Sequence, residues 1–311
     1  MTSVERGRGR YAPSPSGDLH LGNLRTGLIA WACARKAGLG FVMRMEDLDE
    51  RCRLEHVETQ LRDLSEIGID WDGHVLFQSD RVDAYGEVVS RLRERDLLYE
   101  CYCTRADMKD APRAPHAPPG SYPGTCRHLS ETERRHGRDK LSTMRRGPAL
   151  RLKADVATLT VTDRLCGEFT GYVDDFVVQR GDGAYAYNLV AVVDDHHQGV
   201  SQIVRGDDLL DSTPRQVYLQ QLLGYETPEY IHVPLVLNSA GKRLAKRDGA
   251  VTLDELHREG WSTGEVFSLI SQSLGIHSGT SAEFLEQFSL DLIGREPWIF
   301  DPLARKSRSE E

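Results

Sequence analysis

"RGRYAPSPSGDLHLGNLRTGLIAWACARKAGLGFVMRM", residues 8 to 45, is the stretch that decides the fold. Residues 8 to 13 suit a short strand. From Gly22 to Lys36 the apolar residues Leu24, Leu28, Trp31 and Ala32 recur at helical spacing, and Gly38 supplies a stop. "GFVMRM" then reads as a buried strand. A strand, a helix and a strand in that order predict a parallel βαβ unit, and so an α/β protein whose ligands bind beyond the carboxyl ends of an open sheet. Both "PSPSGDLHLG" (13 to 22) and the acidic "EDLD" (46 to 49) fall at that edge.

Outward from this unit, helical patterns cover residues 55 to 67 and 81 to 95. The texture changes between Cys101 and Cys126, which hold five of the 13 prolines, and a polar, basic stretch "HLSETERRHGRDKLSTMRRG" follows. Short strand-like runs occupy 149 to 204, with a hairpin turn expected at "RGDGA". "SQIVRG" resumes the sheet, a helix begins at Thr213 and Pro214, and "YIHVPLVL" forms a strand ahead of "NSAGKRLAKRDGA". The expected division is residues 1–98 and 191–250 as two halves of one sheet domain, 99–190 as an insertion, and 251–311 as a short helical segment.

Length and composition bound the function. The 311 residues with 39% hydrophobic content can build a packed core, and the 48 acidic against 39 basic side chains give a net charge of −9. No global positive field draws in nucleic acid, so a polyanion must meet a local patch. The charged start "MTSVERGRGRYA" lacks the apolar stretch of a signal peptide, and no apolar run approaches membrane-spanning length. A cytoplasmic monomer without a membrane partner is expected. Six cysteines are too few for a disulfide scaffold.

Three constellations carry chemistry. Gly17 and Gly22 at a strand-to-helix junction suit the approach of backbone amides to a phosphate, and His20 is placed to donate to phosphate oxygens. Alone, that pattern more often describes a turn with a capping histidine. "GKRLAKRDG" puts four basic residues on a glycine-flanked loop after a strand, which suits phosphate or plain solvation. "CYC" at 101 to 103 with Cys126 offers three thiolates to a zinc ion, and Tyr122, His116 and His128 are the nearby choices for a fourth ligand. The acidic and imidazole run Asp194, Asp195, His196, His197 is expected to be a structural turn rather than a metal site. Arg127, Arg134, Arg135, Arg138, Lys140, Arg145 and Arg146 make the best local surface for a nucleic-acid backbone.

"RYAPSPSGDLHLGN", "RMEDLD", "YNLVAVVDDH", "IVRGDDLLDSTPRQ" and "KRLAKR" stand in the order of the class I glutamyl-tRNA synthetases, and the resemblance spans roughly residues 8 to 250. His20 to Asn23 resemble the HIGH signature and Arg243 to Arg247 the KMSKS signature. The resemblance implies a Rossmann-like class I synthetase domain with an inserted zinc-containing α+β subdomain and short C-terminal helices. It implies ATP at Gly17, His20, Gly22, Asn23 and Lys246, with His20, Lys246 and Arg243 catalytic and Mg2+ on the phosphates. L-glutamate is implied at Arg10, Ser14, Glu46, Tyr187 and Arg205, and Zn2+ at Cys101, Cys103, Tyr122 and Cys126. Two positions depart: Arg243 replaces the first signature lysine, and Ala245 replaces the serine.

Full-length members carry a helical anticodon-binding domain after the second signature, whereas 65 residues follow Lys246 here. That resembles a truncated branch which transfers activated glutamate to queuosine, the modified wobble nucleoside of tRNA(Asp). The rival expectations are a minimal synthetase charging the 3′ end of tRNA(Glu) and a non-catalytic tRNA-binding paralogue.

Overall fold

A computed structural model describes residues 7–110, 121–244 and 251–301. The opening unit is β1 (Arg8–Tyr11), α1 (Leu21–Lys36) and β2 (Gly40–Met45), with β1 and β2 parallel in the register Arg10↔Val42. Then come α2 (Leu54–Glu66), β3 (Leu76–Phe77), α3 (Val82–Glu94), β4 (Leu98–Cys101), α4 (Arg105–Asp110) and α5 (Glu131–Thr143). Four strands follow: β5 (Ala149–Leu152), β6 (Thr158–Asp163), β7 (Gly167–Tyr172) and β8 (Val177–Gln179). The chain returns through α6 (Tyr187–His197), β9 (Val200–Gly206), α7 (Thr213–Leu223), β10 (Glu229–Val233) and β11 (Val236–Leu237). It ends in α8 (Leu253–Arg258), α9 (Thr263–Gln272), α10 (Ser281–Gln287) and β12 (Trp298–Ile299).

The main sheet has the strand order β3-β2-β1-β9-β10-β6-β7, parallel except for the β6–β7 hairpin. Strand β1 therefore lies between β2, its neighbour in sequence, and β9, which pairs with it from Val200. The order reverses here, so the loops leaving β1 and β9 part and open a crevice. Helix α1 covers this point and is buried almost all round, because α8, α9 and α10 pack Leu253, Val266, Phe267 and Phe284 into the same core as its Leu24 and Leu28. The C-terminal helices are thus part of the sheet domain's core.

The segment expected as an insertion divides between two sheets. β4, β5 and β8 form a separate antiparallel sheet, whereas the β6–β7 hairpin extends the main one through Tyr230↔Asp163. The basic stretch after Cys126 forms α5, opened by a capping box in which the Ser130 side chain and Glu133 satisfy each other's backbone amides. The run Asp194 to His197 is not a turn but the last part of α6. Its aspartates are buried as counter-ions to arginines on neighbouring elements, and polarity alone did not distinguish that from exposure.

Candidate active site

Beyond the carboxyl ends of β1 and β9 lies a cavity of about 370 Å³. Its wall brings together Arg10, Ser14, Glu46, Tyr187 and Arg205, and also His20, Gly22, Asn23 and Arg243. Gly17 does not line it; its carbonyl accepts from Gln60 Nε2 at 2.6 Å, and a Cβ there would meet nothing within 4 Å. Lys246 lies outside the described residues. On either side of it, Arg243 pairs with Asp208, and the Val251 carbonyl accepts from Leu21 N at 2.8 Å.

His20 is the N-cap of α1, and its Nδ1 accepts from Gly22 N at 3.1 Å and Asn23 N at 3.3 Å. Asn23 Oδ1 returns the bond to His20 N at 3.1 Å. With Nδ1 an acceptor, the neutral ring carries its proton on Nε2. Burial, aided by the Arg243 charge, holds the imidazole below its usual range and keeps it neutral. The first amides of α1 are therefore engaged inside the protein in this structure, by the His20 ring and the Val251 carbonyl. What remains for a ligand is the Nε2 donor and the helix dipole. Gly22 also leaves little room for a side chain: a Cβ would stand 3.1 Å from the His20 ring and 3.2 Å from Val236.

The floor of the crevice is a set of buried ions. Arg44 on β2 is fully buried; it donates to Asp195 at 2.8 Å and to Gln198 at 2.9 Å, and reaches Glu46 at 3.4 Å. Arg10 donates to the Val204 carbonyl at 3.0 Å, and its Nε lies 3.5 Å from Asp195 without a hydrogen bond among the described residues. Desolvation works to raise the Asp195 pKa, but Arg44 and Arg10 outweigh it and hold this carboxyl below its usual range. For Glu46, burial wins over the same arginines and its carboxyl is raised. Asp194 is taken by Arg81 at 3.1 Å and Tyr85 Oη at 2.7 Å. Arg10, Arg44 and Arg205 against Glu46 and Asp195 leave one net positive charge when both carboxyls are ionised. Ser14 Oγ lies 3.7 Å from Cys52 Sγ at the rim.

Arg205 on β9 spends every N–H. Nε donates to His232 Nε2 at 3.0 Å, Nη1 to Gln216 Oε1 at 2.8 Å and Tyr187 Oη at 3.2 Å, and Nη2 to Thr213 Oγ1 at 2.9 Å and the Leu209 carbonyl at 3.4 Å. Sequence reasoning singled out neither His232 nor Arg44. Each is a charged or polar residue inside an apolar strand, "YIHVP" and "FVMRM", and that interruption is the signal that could have found them.

On the smaller sheet, the Sγ atoms of Cys101, Cys103 and Cys126 lie within 4.8 Å of one another. Tyr122 Oη stands 3.4 Å from Cys101 Sγ and 3.9 Å from Cys103 Sγ, and accepts from Cys126 N at 2.8 Å. His128 is exposed and outside this group, and His116 lies outside the described residues. Hydrogen bonds from the Cys103 and Cys126 thiols hold Cys101 below the usual thiol range. Three sulfurs and a phenol at mutual distances of this size fit a tetrahedral zinc ion. Of the seven basic residues after Cys126, Arg127, Arg138 and Lys140 are tied to Asp175, Glu100 with Glu131, and Asp107. The patch is less positive than its composition.

A parallel sheet with a crevice at its switch point, a capping histidine and a floor of arginines is the arrangement expected of a class I synthetase catalytic domain, and the family match agrees. The family model "tRNA synthetases class I (E and Q), catalytic domain" matches residues 7–290, and the chain belongs to that family. It is 55% identical over 293 residues to a protein of Nocardia farcinica named glutamyl-Q tRNA(Asp) synthetase, covering 94% of this chain and 93% of that one. A protein of the same name from Cutibacterium acnes is 45% identical, covering 88% and 78%. Among solved structures, a glutamate tRNA ligase from Elizabethkingia meningosepticum, in complex with its amino acid, superposes with a TM-score of 0.78 at 24% identity, covering 95% of this chain and 67% of that one.

Proposed function

We propose that this chain activates L-glutamate with ATP and transfers it to the queuosine of tRNA(Asp), as the names of its relatives suggest. The observation that carries the reading is the crevice floor, where three arginines face two carboxylates. Its single net positive charge matches the single net negative charge of a glutamate zwitterion. Arg205 and Arg10 would take carboxylate, Glu46 the ammonium, and Ser14 and Tyr187 would add hydroxyl contacts. An oxygen of the glutamate α-carboxylate attacks the α-phosphorus of ATP, the bond from that phosphorus to the oxygen bridging to the β-phosphate breaks, and pyrophosphate leaves. A queuosine hydroxyl then displaces AMP from the adenylate. His20 Nε2, Arg243 and Lys246 would stabilise the charge that gathers on the phosphates, with Mg2+ as their counter-ion.

Cys101, Cys103, Cys126 and Tyr122 would hold zinc, which ties the end of β4 to the loop before α5 and supplies structure rather than chemistry. The anticodon arm would meet Arg134, Arg135, Arg145 and Arg146, which form no ion pair among the described residues.

The test compares acceptors. Radiolabelled glutamate should label purified tRNA(Asp) carrying queuosine and leave the unmodified tRNA(Asp) and tRNA(Glu) unlabelled. Charging of tRNA(Glu) at its 3′ end with no label on queuosine-containing tRNA(Asp) would replace this reading with a minimal glutamyl-tRNA synthetase.

A further inference from the structure

Arg205 is held from behind by a buried chain of hydrogen bonds that begins on the β6–β7 hairpin. A guanidinium can only donate, so the 3.0 Å contact from Arg205 Nε requires His232 Nε2 to be an acceptor. The neutral ring must then carry its proton on Nδ1, which lies 2.7 Å from Asp163 Oδ2 and donates to it. The same oxygen accepts from His232 N at 3.0 Å. The other carboxylate oxygen accepts from Leu165 N at 2.9 Å and Cys166 N at 2.8 Å. The side chains of both His232 and Asp163 are wholly buried. Asp163 is also the residue through which β6 registers with β10, at Tyr230. The carboxylate that fixes the histidine is thus fixed by the turn and the sheet.

The five bonds of Arg205 fall into two groups. Those to His232, Gln216 and Thr213 measure 2.8 to 3.0 Å and end on buried side chains. Those to Tyr187 Oη and the Leu209 carbonyl measure 3.2 and 3.4 Å, and both partners line the crevice. We propose that Asp163 and His232 are positioning residues which lock Arg205 through its Nε edge, leaving the Nη1 and Nη2 donors now shared with Tyr187 and Leu209 to be taken over by the substrate carboxylate. The inference rests on the reading of the crevice as an amino-acid pocket. It gives the inserted hairpin a part in substrate selection: a fixed guanidinium recognises a carboxylate in one plane, whereas a mobile one is only a charge.

Glutamate-dependent exchange of pyrophosphate into ATP, with KM measured separately for both substrates, tests it. His232→Asn places an amide donor near Nδ1 but removes the acceptor for Arg205 Nε. The KM for glutamate should rise at least about tenfold with that for ATP within about twofold. His232→Gln restores an acceptor near Nε2 and should return the glutamate KM to within about threefold of wild type. Asp163→Asn cannot accept from Nδ1 and from both turn amides together, and should shift the glutamate KM in the same selective way. If either His232→Asn or Asp163→Asn fails to fold, the other decides. Unchanged glutamate KM, equal rises for both substrates, or His232→Gln no better than His232→Asn would reduce the pair to packing and overturn the relay. A wild-type protein without glutamate-dependent exchange would remove the pocket reading, and the relay with it.

Discussion

The crevice and the cysteine cluster are both polar sites set in apolar frames, and they balance charge in opposite ways. In the crevice, arginines and carboxylates alternate, so that folding alone leaves the floor only one net positive charge before any ligand arrives. In the cluster, three sulfurs and a phenol stand together with no alternating cation among them, and Arg151 lies against the outside, its guanidinium 3.6 Å from the centre of the Tyr122 ring. Folding answers the charges of the first site; the second would be completed by the zinc proposed for it.

The strongest way to break this contrast is to disrupt the cysteine cluster. Purified protein should carry about one zinc per chain, lost in Cys126→Ser, with cooperative melting of the smaller sheet at lower temperature. Exchange at the crevice should survive within about threefold, since separate structural units open independently. Full zinc content in Cys126→Ser, or abolished exchange, would show that the two sites are not distinct in this sense.

Lys246→Ala sharpens the other side. Loss of a charge-assisted phosphate contact costs about 1.5–3 kcal/mol, so exchange should slow by at least about tenfold. An unchanged rate would take the loop out of the chemistry.

The smallest expected effect is a pH dependence within the crevice itself. Burial raises the Glu46 carboxyl above its usual 4.5, whereas Arg44 and Arg10 hold Asp195 below its usual 3.8. A raised carboxyl binds more protons folded than unfolded, so Glu46 costs stability as pH climbs from 4.5 through its folded value. Asp195 has the opposite sign: its contribution is present above 3.8 and is lost as pH falls through its depressed value. Pairing with an ammonium needs ionised Glu46. Glutamate affinity should therefore weaken on acidification starting above pH 4.5, with proton release on binding in that range. Titration calorimetry in buffers of different ionisation enthalpy reads the release; none at all would remove Glu46 from the ammonium site.

Much of this was legible in the sequence for a physical reason. The βαβ opening follows from local periodicity and one glycine stop, and α1 and β2 lie where that pattern puts them. Arg10, Ser14, Glu46, Tyr187 and Arg205 could be named because family blocks mark them, and the fold brings them to one wall. What stayed hidden was cooperative across distance. Asp163 and His232 are 69 positions apart, and His232 and Arg205 are 27 apart, so no window contains the relay. Asp194 and Asp195 read as part of a structural turn, since their partners Arg81 and Arg44 lie far upstream. Helix α5 was the exception: Ser130 followed by Glu133 is a local start signal that went unread beneath the weight of basic residues.

The pairing of β1 with β9 also sets a schedule. Arg10 Nη1 donates to a carbonyl 194 positions later in the chain. At a ribosomal pace of roughly 5–20 residues per second, β1 waits about 10–40 seconds for that partner to be made. By then β4, β5 and the three cysteines have already left the tunnel. The inserted sheet can thus begin to pair, and its three cysteines meet, while the first strand is still without a neighbour on one side, and the substrate crevice becomes one of the last features of the newborn molecule to take shape.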